Sequence, residues 1–256
     1  MESTTRLYLQ DSYCFGTNAT IIAVQGNAFA CDQTCFYPGG GGQPADEGTA
    51  TVIDGLTLAI GSARADADGI VWHVCGTELP TNILRKPVVL AVNKDRRLAL
   101  MRYHTVLHVL NTIVLRDYAG WITGVQMRTD YSRIDFKVEN FSPAMCAELE
   151  VKVNAVLSES HNLKTYTIPE REFHQRDDLL RTLEAKPPVL DGLVRVVEIE
   201  GFDAQACGGT HVHNTTRVGK FSIFRTDNKG RINKRLYIRL DPLIVGLTQF
   251  AKGYRK

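Results

Sequence analysis

His104-Thr105-Val106-Leu107-His108 and Cys207-Gly208-Gly209-Thr210-His211 each set two soft-metal ligands four residues apart. About a hundred positions separate the two motifs. Three imidazoles and one thiolate are the ligand types that zinc prefers. A carboxylate-free set argues against magnesium or calcium. Any fold that uses both pairs must bring a distant loop onto the face that carries the histidines. His213 lies two residues past His211 and is an alternative ligand, but Cys207 and His211 have the more familiar spacing. The residue after His104 is Thr105, so this is not an HExxH peptidase signature.

The motifs sit in contrasting contexts. Before them, short runs rich in Val, Ile and Ala alternate with Gly, Asn, Asp and Pro. Residues Ala19–Val24, Ala28–Cys31, Ala50–Ile53, Leu56–Ile60, Ile70–Val74 and Pro87–Val92 read as strands of a small barrel or sandwich. Gly39, Gly40, Gly41 and Gly42 interrupt them, followed by Gln43-Pro44; four glycines in a row form a tight loop with exposed backbone. Asn93 then caps a helix whose inward face is Leu100, Tyr103, Leu107, Leu110 and Val114, and Gly120 stops it. On that helix His104 and His108 project from one side.

The pattern predicts strands at Ile122–Arg128 and Ser132–Val138 and a helix at Pro143–Glu159. A strand at Leu163–Ile168, a helix at His174–Glu184 and a strand at Leu193–Ile199 follow. Strands at Val218–Phe224 and Leu236–Leu240 finish the sheet, joined by a basic turn with Lys229, Arg231, Lys234 and Arg235. The fold class is α+β: a β-barrel domain over 1–94, then a mixed α+β domain over 95–256 that holds the metal site.

Bulk properties exclude several classes. The six cysteines are irregularly spaced, which argues for a reducing compartment rather than a disulfide framework. Cys31 and Cys35 form an unaccompanied CxxxC, and Cys14, Cys75 and Cys146 read as small core residues. No apolar run approaches a membrane span, and the N-terminus has no apolar signal region, so the expected location is cytoplasmic. A net charge of +2 permits a nucleic-acid partner without demanding one.

Taken together, the motifs resemble the editing domain of the alanyl-tRNA synthetase family. Arg97 and Met101 through Leu110 look like its opening helix, Gly124 with Arg133-Ile134-Asp135-Phe136 like its strand pair, and Gln205 through Val212 like its most diagnostic motif. Phe36-Tyr37-Pro38 through Gln43, with Asp46 and Gly48, is similar to the glycine-rich segment of the barrel that precedes that domain. With no aminoacylation domain before the barrel, the match is to the free-standing, medium-length AlaX-type trans-editing proteins.

The resemblance implies an aminoacyl-tRNA deacylase. Its substrate would be alanine tRNA mischarged with serine or glycine, and its cofactor one zinc ion per chain on His104, His108, Cys207 and His211. A pocket shaped for alanine rejects glycine and serine poorly, which is why a second, hydrolytic site is needed. Thr105 and Thr210 are candidates for hydrogen bonds around the zinc. Gly39 to Gly42, Gln43, Ile122, Thr123, Arg133 and Asp135 are candidates for substrate contact; the loop also reads as a plain barrel turn, and Arg133 with Asp135 as a structural pair. Ile122 departs from the family, which usually carries a polar residue there that reads the amino acid. Thr123 is the neighbouring substitute, and Val125 replaces the usual serine. Two other readings fit the residues: an inactive tRNA-binding protein with structural zinc, and a zinc hydrolase of a small molecule. The sequence leaves the oligomeric state open.

Overall fold

The computed structural model describes residues 3–139, 141–181 and 187–241. Its strands are β1 (Thr5–Arg6), β2 (Gly16–Gln25), β3 (Ala28–Cys31), β4 (Gln33–Thr34), β5 (Gly48–Val52), β6 (Thr57–Ala65), β7 (Val71–Cys75) and β8 (Pro87–Val92). Helix α1 (Lys94–Tyr118) leads to β9 (Trp121–Met127), β10 (Ser132–Lys137), α2 (Pro143–Ser158), β11 (Leu163–Pro169) and α3 (Glu170–Phe173). Then come β12 (Val189–Leu190), β13 (Leu193–Ile199), β14 (Asp203–Ala206), β15 (Phe221–Asn228) and β16 (Asn233–Leu240). The class is mixed α+β, as the sequence predicts.

Six strands close a barrel in the order β2-β3-β7-β6-β5-β8. Period-two alternation drives closure: in β8, Val88, Leu90 and Val92 point inward and Pro87, Val89 and Ala91 outward. The interior is a core of Ile21, Phe29, Phe36, Ile60, Val71 and Leu90. His73 lies inside it, fully buried, with Nδ1 donating to the Phe29 carbonyl at 3.2 Å and Nε2 accepting from Thr34 Oγ1 at 2.8 Å. Both nitrogens are satisfied only in the neutral form, and burial lowers its pKa from the ordinary 6.5 to about 4. The unfolded chain therefore takes up a proton first. Stability present above pH 6.5 should fall by about 3 kcal/mol as the pH drops toward 4. Melting temperature against pH, compared with a His73→Gln variant in which that slope is flattened, checks this.

Helix α1 forms as the pattern predicts. Asn93 Oδ1 accepts the Arg96 amide at 3.1 Å, Asp95 sits in the first turn and Arg116 in the last. One expectation fails here. By length and composition α1 could cross a bilayer, and no run was expected to approach that. It is apolar on most sides because it is a core helix; 78% of its apolar window is buried inside the chain. Around it pack Leu149 and Val153 of α2 and the inner faces of β9, β10, β15 and β16.

β1 and β4 pair as a short parallel sheet, and the strands after α1 make two sheets rather than one. The first has the order β15-β16-β10-β9, and the second β11-β13-β12 with β14 on β13. Two element limits also shift. Thr215–Arg217 is a 3₁₀ turn, so the strand expected from Val218 starts at Phe221. The helix expected over His174–Glu184 is instead α3, ending at Phe173, and a 3₁₀ turn at Asp177–Leu179; residues 182–186 lie outside the described residues. Phe173 and Leu179 dock onto Ile168, Val194 and Val196 as a small satellite core, and that packing overrides helical propensity.

Candidate metal centre

The barrel and α1 are joined at a buried ion pair. Arg97, on the first turns of α1, and Asp46, at the end of the glycine-rich segment, are both fully buried. Arg97 Nε donates to Asp46 Oδ1 at 2.9 Å, Nη1 to the Ser12 carbonyl at 3.0 Å and Nη2 to the Cys35 carbonyl at 2.7 Å. The Tyr37 amide donates to Asp46 Oδ2 at 2.7 Å. This anchors the segment Gly39 to Gln43 against the helix two turns before His104.

The β13–β14 hairpin delivers the second motif. Beyond β14, the Cys207 amide donates to the Arg195 carbonyl at 3.0 Å. Arg195 then turns its guanidinium under the loop: Nη1 donates to the carbonyls of Cys207 and Gly209, each at 2.9 Å. Gly209 permits the approach of loop and helix, because a Cβ there would sit 2.2 Å from His104 Cε1.

The four expected ligands converge. One donor atom from each of His104, His108, Cys207 and His211 lies within 4.8 Å of the others. Cys207 Sγ is 3.4 Å from both His104 Nε2 and His211 Nε2. A tetrahedral zinc with Zn–S near 2.3 Å and Zn–N near 2.1 Å has S-to-N edges of about 3.6 Å. His108 contributes one ring nitrogen to the cluster, and its Nδ1 is buried with no hydrogen-bond partner among the described residues. Donor types and edge lengths fit zinc.

Electrostatics favour ligation as well. Burial, reinforced by the Arg195 charge, lowers His104 to about 3. Burial and the neighbouring imidazoles hold His108 and His211 well below the usual histidine range. All three are thus neutral and carry lone pairs at physiological pH. Burial raises the Cys207 thiol, opposed by the Arg195 charge and the Gly209 amide. His213 stands outside the cluster, with its ring 5.1 Å from Tyr13.

Outer partners fix the imidazoles. Gln43 is 2% exposed; its Oε1 accepts from His104 Nδ1 at 2.8 Å and from the Thr210 amide at 3.1 Å, while Nε2 donates to Thr210 Oγ1 at 2.8 Å. With Nδ1 protonated, His104 presents Nε2 to the centre. Thr105 Oγ1 meets His211 Nδ1 at 3.2 Å and accepts the Val212 amide at 3.2 Å. Gln43→Ala should therefore weaken metal binding at this cluster about 10- to 100-fold without unfolding the barrel; competition with a chromophoric chelator measures it.

The centre opens into a cavity of about 1200 Å³. Gly39, Gly40 and Gly41 line it, so the glycine loop does reach the metal side, whereas Gly42 packs on Val125 and Gln43 is committed to His104 and Thr210. A Cβ on Gly42 would lie 2.7 Å from Val125 Cγ1. Ile122, Val125 and Ile134 form an apolar wall with Leu107. Thr123 faces the other way and donates to Asn233 Oδ1 at 3.0 Å, so it does not replace Ile122 in the cavity. Arg133 and Asp135 occupy the outer face of β10. Their closest approach is 4.0 Å; Asp135 instead receives both Arg235 bonds at 2.6 Å, and Arg133 donates to Gln126 at 2.8 Å.

Sequence reasoning missed Arg195, whose only signal is a charge inside the apolar run Val194-Arg195-Val196-Val197. It also missed Asn111, one turn past His108. Asn111 exchanges hydrogen bonds with buried Gln205, and Gln205 in turn donates to the His108 carbonyl at 3.1 Å.

Comparison with known proteins agrees with this architecture. Residues 194–237 match the family described as the threonyl and alanyl tRNA synthetase second additional domain. The alanyl-tRNA editing protein AlaX-M of Saccharolobus solfataricus is 31% identical over 93% of this chain and all of its own. The AlaX-M protein of Methanosarcina mazei is 34% identical over 93% of this chain and 96% of its own. The alanine–tRNA ligase of Pyrococcus abyssi is 33% identical over 89% of this chain, matched to 25% of the ligase. Near-complete coverage of two editing proteins, against a quarter of the ligase, shows that the chain belongs to the AlaX-M family of alanyl-tRNA editing proteins.

Proposed function

We propose that this chain is a trans-editing hydrolase that deacylates mischarged alanine tRNA, Ser-tRNA(Ala) or Gly-tRNA(Ala), at a centre holding one zinc ion. On this reading residues 1–94 are a barrel domain and 95–256 the editing domain. The carrying observation is the convergence of His104, His108, Cys207 and His211 within 4.8 Å at one end of a large cavity. Zinc bound there would supply Lewis acidity toward the ester or a water. The chain's own residues do the rest. Gln43 and Thr105 hold the imidazoles in register, and Arg195 fixes the Cys207–Gly209 backbone. The backbone of Gly39 to Gly41 can approach the terminal nucleotide closely because no side chains intervene. Leu107, Ile122, Val125 and Ile134 line the cavity beside the centre with apolar surface.

The wall also bears on specificity. Ile122 gives a serine hydroxyl no hydrogen bond on this side, so serine is not favoured over glycine through β9. Ile122→Thr should raise the Ser/Gly ratio of kcat/KM about tenfold, the worth of roughly one hydrogen bond; an unchanged ratio removes this residue from selection. The function itself is tested by incubating Ser-, Gly- and Ala-charged alanine tRNA with zinc-loaded protein beside His104→Ala. Hydrolysis of a mischarged ester with Ala-tRNA spared is the expected result. Wild type that leaves all three esters intact overturns the reading.

A further inference from the structure

The sheet β15-β16-β10-β9 has two unlike faces. Ile134, Phe136, Leu236 and Ile238 point to the core, and Ile122 and Ile134 reach the metal cavity. On the outer face, register aligns Gln126, Arg133, Tyr237 and Arg225 in one row across the four strands. The next row is Gly124, Asp135, Arg235 and Asp227.

At one end of this face three aromatic rings meet. Tyr131 and Phe224 are 6.2 Å apart, Phe224 and Tyr237 6.1 Å, and Tyr131 and Tyr237 6.3 Å. Each ring carries an arginine: Arg239 stands 4.5 Å over Phe224, Arg225 4.7 Å over Tyr237 and Arg128 5.4 Å over Tyr131. Phe224 is 44% exposed, a large apolar side chain left in water at the centre of the group. Folding does not require such an arrangement.

The charge is one-sided too. Register and ring contacts bring Arg128, Arg133, Lys137, Arg225, Arg235 and Arg239 to this side of the sheet, with Asp135 and Asp227 among them. Both aspartates are engaged, by Arg235 and Arg225. Arg239 and Arg128 have no carboxylate partner among the described residues.

We infer that this outer face is a docking surface for RNA, separate from the metal cavity behind the same sheet. Guanidinium groups stacked on rings are held in place before binding; Asp227 occupies the N–H edge of Arg225, whereas those of Arg128 and Arg239 carry no carboxylate among the described residues and can meet phosphate oxygens. The exposed rings and guanidinium planes offer stacking surface to any base that leaves the helix. A protein partner would need either more apolar area or matching acids, whereas a phosphate backbone matches an arginine-rich face as it stands. The inference rests on the tRNA reading above and deepens it: the body of the tRNA is held here while its 3′ end enters the cavity.

The test uses the full chain, zinc-loaded, and uncharged alanine tRNA transcript followed by fluorescence anisotropy against salt. Arg128→Gln/Arg239→Gln should weaken binding about tenfold and lower the salt slope by roughly 1.5–2, two phosphate contacts' worth. With charged tRNA its KM should rise and kcat stay constant, and hydrolysis of 3′-O-glycyl adenosine should be unchanged. Lys86→Gln, on the barrel surface, should leave binding as it was. The proposal is overturned if the double variant binds like wild type, if Lys86→Gln costs as much, or if wild type does not bind tRNA at low salt. It is also overturned if the double variant alters only the sedimentation coefficient, which would mean that a second copy of the chain covers the face. Because binding is read on uncharged tRNA, failure of the surface and failure of the hydrolase reading are separate results.

Discussion

Cys207→Ala is expected to take the metal content of the purified protein from about one zinc per chain to near zero, the content predicted for a single four-ligand set. Hydrolysis of mischarged tRNA should fall with it, by more than the about 10- to 100-fold that outer partners such as Gln43 are worth. The physical reason is the donor set. Burial keeps the three imidazoles neutral, so the Cys207 thiolate is the one anionic ligand among the four, and it sits 3.4 Å from two of them. Wild type stripped by a chelator should match the variant, and only wild type should recover when zinc is returned. Elemental analysis and single-turnover deacylation on the same samples decide the matter. A variant that retains a full zinc complement, or a stripped wild type with undiminished activity, contradicts the assignment.

Arg97→Ala should destabilise the fold by about 3–5 kcal/mol, since it leaves the Asp46 carboxylate buried without its counter-charge. In a chain of 256 residues that is a fall in melting temperature of roughly 10 °C. The cost is not confined to the pair. Arg97 also satisfies the carbonyls of Ser12 and Cys35, and Asp46 accepts the Tyr37 amide. The segment so released includes Gln43, so zinc affinity should weaken in the same variant. Asp46→Asn keeps the Tyr37 contact and should cost less. Urea unfolding of both variants, with chelator competition alongside, checks the order. Equal stability of Arg97→Ala and wild type would show that the joint between barrel and helix lies elsewhere.

The helix α1 was legible because its apolar residues recur with the helical period and Asn93 and Gly120 mark its ends. The candidate metal-ligand set was legible because two local pairs each carry their own spacing. The His174–Glu184 segment was not: its leucines at 179 and 180 fit a helix locally, yet Leu179 is placed by contact with β13, which lies beyond it in the chain. Gln43 was legible as part of a motif but not in its role. A glutamine after four glycines says nothing about His104, 61 residues further on, until the barrel is closed and Arg97 has locked the loop against α1.

Thr123 and Arg133 make the same point from the other side. Both stand one position from a cavity residue, and strand alternation sends both to the opposite face. A register shift of a single residue would exchange them with Ile122 and Ile134, and the sheet's burial on one side forbids that shift.

The sequence by itself determined which residues can bind metal, where the long helix runs, and that a β-rich unit precedes it, because these are written in local spacing and periodicity. Only the tertiary structure decided that Gln43 and Arg195 hold the cluster, that Ile122 rather than Thr123 lines the cavity, and that arginines and aromatics gather on the far side of the same sheet. Those relations join residues brought together by barrel closure and strand register, and no short stretch of chain encodes them.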